Sequence, residues 1–155
     1  MIFCFIYCVY LPINFVVKMN FNNDGILDPG KHKMTWKEFY GFFSFSERRK
    51  ELLEGLGKVV NILREIGVTR IYIDGSFVTN KLEPDDWDAC FESSVPVSNN
   101  LKYPFKNGKA QKKLYKGHVF DAQWEADEFG TKYLEYFQQM KENSAIKKGI
   151  VELIK

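Results

Sequence analysis

A chain of 155 residues fits one domain and leaves little room for a second. Its composition, 45% hydrophobic and 27% charged, excludes a disordered or low-complexity chain and suffices for a core without staples. The net charge of +2 excludes a global pull toward nucleic acid or anionic membrane, and three cysteines (Cys4, Cys8, Cys90) do not make a secreted disulfide framework.

Residues 1–17, MIFCFIYCVYLPINFVV, carry no charge. That is near the lower limit of the roughly 17–25 residues of a membrane span. The stretch has no basic start and no small-residue cleavage site after it, and Pro12 and Asn14 interrupt it. It is an upstream stretch before a true start at Met19, an added strand or helix packed on the domain, or a signal or anchor segment. The expected organisation is an apolar leader over 1–18 and a folded domain over 19–155.

Residues 22–33 form a polar lead-in punctuated by Gly and Pro. Thr35, with Glu38 three residues on, predicts a capping box and a short helix Trp36–Phe43. Ser46 caps a long helix over 47–66, whose apolar positions Leu52, Leu53, Leu56, Val59, Val60, Leu63 and Ile66 share one face. Gly67 ends it. Residues 68–74 (VTRIYID) are a strand, Gly75-Ser76 breaks it, and residues 77–82 are a short helical turn. Pro84 precedes a second strand, Trp87–Glu92. Residues 93–117 are expected as a polar loop carrying Lys102, Lys106, Lys109, Lys112, Lys113 and Lys116. A third strand over 118–125, an amphipathic helix over 131–140 and a last strand Gly149–Ile154 complete the chain. The class is α+β: a small mixed β-sheet with helices packed on one face.

The chemistry concentrates in residues 71–92, IYIDGSFVTNKLEPDDWDACFE. Glycine at a strand end lets backbone approach a phosphate closely, and the Ser76 hydroxyl with neighbouring N–H groups can bind its oxygens. Residues two apart on a strand share a face, so Asp86 and Asp88 project side by side. Such a carboxylate pair can hold Mg²⁺ or Mn²⁺ whose remaining positions are filled by triphosphate oxygens. The lysine-bearing loop lies between the second and third strands, beside such a ligand. Arg48 and Arg49, in the first turn of the long helix, are poor partners for its dipole unless an anion or Glu51 offsets them. His32 and His118 are too isolated in sequence to suggest a pair, and Cys90 is expected to be packed.

The Gly75-Ser76 turn, its nine-residue spacer and Asp86-Trp87-Asp88 resemble the signature of the DNA polymerase beta nucleotidyltransferase superfamily. More narrowly, segments 29–39, 72–88, 105–117 and 133–154 are similar to a bacterial family of minimal nucleotidyltransferase-like proteins, relatives of which sit in toxin–antitoxin or phage-defence pairs. The resemblance implies a polymerase-beta-like core and transfer of a nucleoside monophosphate from an NTP to a protein, RNA or small-molecule hydroxyl. It assigns metal binding to Asp86 and Asp88, nucleotide binding to Gly75 and Ser76, and a third catalytic acid to Asp121, with Glu125 as its rival. It leaves a second possibility, a catalytically weak binding module such as one half of a toxin–antitoxin pair. A cytoplasmic protein without duplex DNA or a membrane as partner is expected.

Overall fold

A computed structural model describes residues 19–93 and 104–155. In chain order the elements are β1 (Gly30–Thr35), α1 (Trp36–Phe43), α2 (Glu47–Glu65), β2 (Arg70–Asp74), a one-turn 3-10 helix (Gly75–Val78), β3 (Trp87–Glu92), α3 (Gly108–Tyr115), β4 (Gly117–Asp121), α4 (Tyr133–Tyr136) and β5 (Gly149–Ile154). The leader and its three readings, together with Lys102, lie outside the described residues.

The helix starts follow their caps. The Thr35 hydroxyl accepts from the Glu38 N–H at 3.3 Å, and the Glu38 carboxylate accepts from the Thr35 N–H at 2.8 Å. Ser46 caps α2 by accepting from the Arg49 N–H. The α2 exit is a Schellman turn: Val68 N–H donates to Leu63 C=O and Gly67 N–H to Arg64 C=O. Gly67 has φ +92°, a conformation that carries little steric cost only without a Cβ.

Five strands form one mixed sheet in the order β1-β5-β2-β3-β4. The pairs β1–β5 and β3–β4 are parallel, while β5–β2 and β2–β3 are antiparallel. β5 therefore lies inside the sheet between β1 and β2, and its sequence GIVELI is buried at every position but the last. A central strand must be apolar on both faces, as this one nearly is.

The two longer N-terminal helices cover one face. Leu52, Leu53, Leu56, Val59 and Leu63 of α2 and Phe39 and Phe43 of α1 pack with Ile71, Ile73, Ala89, Phe91, Val151 and Leu153 of the sheet. The opposite face is also covered: Tyr72, Cys90 and Ile150 cluster with Phe137, and Tyr133 and Leu134 of α4 pack against them. Helices on a single face are thus a correction. The α+β class and the mixed sheet stand, but the 122–148 segment closes the second face.

Three further expectations change. β1 falls within and beyond the stretch expected as a lead-in, because alternating GKHKMT is too polar to announce a strand; as an edge strand it tolerates that polarity. The expected lysine loop contains α3, capped by the Asn107 side chain accepting from the Ala110 N–H. The helix expected over 131–140 shrinks to the single turn of α4, followed by turns that carry Phe137 into the second cluster. Met19 and Leu27 belong to the main core, so the core begins well before residue 35. Among the described residues, no helix is long and apolar enough to cross a membrane.

Candidate active site

At one end of the sheet three polar residues form a row across adjacent strands. Asp74 ends β2 and is paired with Asp88 in the antiparallel β2–β3 ladder. Asp88 is in turn paired with His118 in the parallel β3–β4 ladder. Directly paired residues share a face, so Asp74, Asp88 and His118 stand side by side. Trp87, between the two acids of the Asp-Trp-Asp triplet, is fully buried, and its indole N–H donates to Tyr115 C=O at 2.9 Å. That anchor turns Asp86 and Asp88 away from the core.

The chain reverses at Gly75, where φ is +79°. A Cβ at Gly75 would lie 2.9 Å from a carboxylate oxygen of Asp88. The turn and the second acid of the triplet are therefore in near contact, and the absence of a side chain makes this possible. Ser76 follows, half-buried, with its carbonyl accepting from the Thr79 hydroxyl at 2.7 Å.

The spacer between turn and triplet is held by the first turn of α2. The Arg49 guanidinium, fully buried, donates to the carbonyls of Phe77, Thr79 and Lys81 at 2.7–2.9 Å. It also lies 4.1 Å from the ring centre of Phe45 and 4.8 Å from that of Phe77. Desolvation brings its pKa down to about 10, still far above neutrality. Arg48 donates to the carbonyls of Pro84 and Asp85 and pairs with Glu51 at 2.7 Å, and the Ser46 hydroxyl donates to Leu82 C=O. The two arginines that ill suit a helix N-terminus are thus explained. They grip the backbone that sets the distance between Gly75 and Asp86.

Each acid of the site faces a cation. Asp86 pairs with Lys112 of α3 at 2.7 Å. Asp88 faces Nδ1 of His118 at 3.6 Å, too long for a hydrogen bond but close enough for charge attraction. That carboxylate holds the imidazole pKa above its ordinary value, against the opposing effect of burial. Asp74 is 5% exposed and faces Lys148, which lies 3.0 Å from Oδ1 and donates to Oδ2 at 3.2 Å. Its Oδ1 accepts no hydrogen bond. Burial pushes the Asp74 carboxyl up to about 6, although Lys148 and the Gly75 N–H pull it down.

The chain's donors suit a hard divalent cation. Asp86 and Asp88 offer carboxylate oxygens with side chains 21% and 35% exposed, and both already attract positive charge from the protein. Among the described residues no three His, Cys, Asp or Glu groups converge at metal-binding distance. A cation here would have two protein carboxylates and take the rest of its shell from water or substrate oxygens, as Mg²⁺ commonly does.

Four of the five residues singled out from sequence, Gly75, Ser76, Asp86 and Asp88, thus meet at one end of the sheet. Asp121 does not join them. It is paired with Phe91, three positions along β4 from His118 and therefore on the opposite pleat. Its carboxylate accepts from the Gln123 N–H at 2.9 Å, a local turn contact. Glu125 lies beyond β4 in an exposed pair with Lys132. Lys112 comes from the lysine-bearing segment expected beside the ligand, whereas sequence reasoning missed Asp74, His118 and Lys148. Only Asp74 carried a signal, an acid at a strand end directly before the Gly-Ser turn.

A family model matches residues 19–154. The chain belongs to DUF6932, a family of unknown function. The match begins at Met19 and spans every element of this DUF6932 domain. No curated protein and no solved structure matches the chain.

Proposed function

We propose that this DUF6932 chain is a metal-dependent nucleotidyltransferase with a polymerase-beta-like core, moving a nucleoside monophosphate from an NTP to a hydroxyl of a protein, RNA or small molecule in the cytoplasm. The observation that carries the reading is the near contact of Gly75 with the Asp88 carboxylate. A backbone turn suited to phosphate and a carboxylate pair suited to a cation occupy one spot, which a nucleoside triphosphate needs and a solvated strand edge does not.

In this reading the Gly75-Ser76 backbone and the Ser76 hydroxyl bind the triphosphate. Asp86 and Asp88 would hold Mg²⁺ or Mn²⁺, which neutralises charge on the phosphates. Lys112, paired with Asp86 at 2.7 Å, would be available to a phosphate oxygen in place of that carboxylate. The acceptor hydroxyl gives up its proton to water, its oxygen bonds to the α-phosphorus, the bond to the oxygen bridging to the β-phosphorus breaks and pyrophosphate departs. The resemblance implied Asp121 as a third acid on this strand, whereas the β4 residue beside Asp88 is His118.

That substitution favours a second reading, a catalytically weak nucleotide-binding module working with a partner such as a cognate toxin or antitoxin. One assay separates the two: Mg²⁺-dependent transfer of label from α-³²P NTPs to protein or RNA. Transfer that disappears in Asp86→Ala/Asp88→Ala supports the enzyme. Nucleotide binding that needs both acids without any transfer supports the module. Neither binding nor transfer with any NTP defeats both.

A further inference from the structure

We infer that Lys148 is a phosphate-binding residue of this site, held ready by the buried carboxylate of Asp74; the inference rests on the nucleotide-binding reading above. Asp74 is directly before Gly75 in sequence and directly across from Asp88 in the β2–β3 ladder. Paired Cα atoms in such a ladder lie about 4.5–5.5 Å apart. Asp74 therefore adjoins both Asp88 and the Gly75 turn.

Lys148 comes from the other direction, on the connection that enters β5. Its side chain is 18% exposed, far less than those of Lys112 (53%) or Lys81 (47%). A lysine drawn this far inward needs a partner, and Asp74 supplies one with both oxygens. The pairing is incomplete. Oδ1 of Asp74 is buried and lies 3.0 Å from the Lys148 ammonium without hydrogen-bond geometry to it. A buried pair serving only as a staple would gain from full hydrogen bonding.

Charge supplies the reason. The acids at this end are Asp74, Asp86 and Asp88, and they face two lysines, Lys148 and Lys112, and the imidazole of His118. If a divalent ion occupies Asp86 and Asp88, a triphosphate still brings more negative charge than the ion carries. Lys112 is held only by an exposed pair with Asp86. Lys148 is not: Asp74 fixes it beside Gly75, where phosphate oxygens meet backbone N–H groups. A preorganised cation at the phosphates costs little reorganisation on binding.

Three proteins test this, each with Mg²⁺ and inorganic tripolyphosphate as the probe in calorimetric titration: wild type, Asp74→Asn, and Asp74→Asn/Lys148→Met. The double variant removes both charges together, so no unpaired group is left buried and folding is checked by circular dichroism. Tripolyphosphate affinity is expected to fall about tenfold or more in the double variant and by less in Asp74→Asn, where Lys148 keeps its charge but loses the carboxylate that positions it. A folded double variant that binds tripolyphosphate like wild type overturns the inference and makes the pair a staple. Should the double variant not fold, the Lys148→Gln variant, which keeps a hydrogen-bond donor toward Asp74, decides: a loss of about tenfold or more without loss of stability supports the inference, and wild-type affinity overturns it. Wild-type protein that binds no tripolyphosphate, or binds it equally after Asp86→Ala/Asp88→Ala, would overturn the nucleotide-binding reading itself.

Discussion

Gly75 and Asp88 approach so closely that a single methyl group at residue 75 would meet the Asp88 carboxylate at 2.9 Å. Backbone conformation adds to the constraint, since φ is +79° there. Gly75→Ala is therefore expected to destabilise the fold by about 1–2 kcal/mol from backbone strain alone. Displacement of Asp88 should also weaken Mg²⁺-dependent nucleotide binding. Urea unfolding and nucleotide titration on the same preparation check both. Unchanged stability with unchanged binding would show that the turn is looser than this contact implies.

Arg49 is the second sensitive point. Replacing it by Met keeps much of the side-chain volume but leaves the carbonyls of Phe77, Thr79 and Lys81 without their donor. The expected loss is about 3 kcal/mol or more, in line with breaking a buried charged network. Arg49→Lys should recover only part of it, because an ammonium cannot reproduce the planar fork. Denaturation midpoints of the two variants provide the comparison.

The pH dependence of stability has a sign set by Asp74 and His118. The Asp74 carboxyl rises to about 6 from an ordinary 3.8, so the folded chain binds more proton than the unfolded one between those values. Its contribution is present in full below the lower value and is lost as pH rises through the upper one. The His118 imidazole is also raised, so its stabilising contribution is present below its ordinary value of 6.5 and is lost as pH rises through the folded value. Both make the protein less stable at pH 8 than at pH 5, as far as these two groups go. Asp74→Asn should flatten the lower part of the profile, and His118→Gln the upper part. Unfolding free energies from urea titrations at half-unit pH steps would reveal either, and a profile unchanged by both substitutions would refute the assignment.

A fragment comprising residues 19–155 is expected to be soluble and to melt no lower than the full chain. Met19 is 7% exposed and packs in the main core, so the fragment must retain it. Met19→Asp in either length should destabilise by about 2 kcal/mol or more through an unpaired charge in an apolar setting. Differential scanning calorimetry on the two lengths is the check, and a clearly lower melting temperature for 19–155 would show that residues 1–18 contribute to the fold.

What the sequence made legible was what local rules govern. Thr35 with Glu38, Ser46, Gly67, and the strands Trp87–Glu92 and Gly149–Ile154 follow from capping, turn chemistry and apolar runs within a few residues. Gly75, Ser76, Asp86 and Asp88 were legible because one short segment carries them all. The polar strand β1 was hidden because an edge position relaxes the apolar requirement. Asp121 drew attention by residue type and its place on the third strand, yet a one-residue difference in strand register decides which face it occupies. His118 and Lys148 were silent, since only the pairing of β4 with β3 and the insertion of β5 beside β2 bring them to the acids. Arg48 and Arg49 looked anomalous, and the anomaly was real: their partners are main-chain carbonyls more than 25 residues away, which carry no sequence signature.

The position of β5 bears on how the protein comes to exist at all. Until residues 149–154 have left the ribosome, β1 has no neighbour, and β2 exposes an unsatisfied edge with Ile71 and Ile73 along it. Until β5 emerges the nascent chain therefore carries β1 unpaired and the β2–β3–β4 group with an open edge, an aggregation-prone condition. Stop codons or frameshifts before residue 149 should yield insoluble products rather than shortened functional ones, even though every acid of the candidate site would have been made.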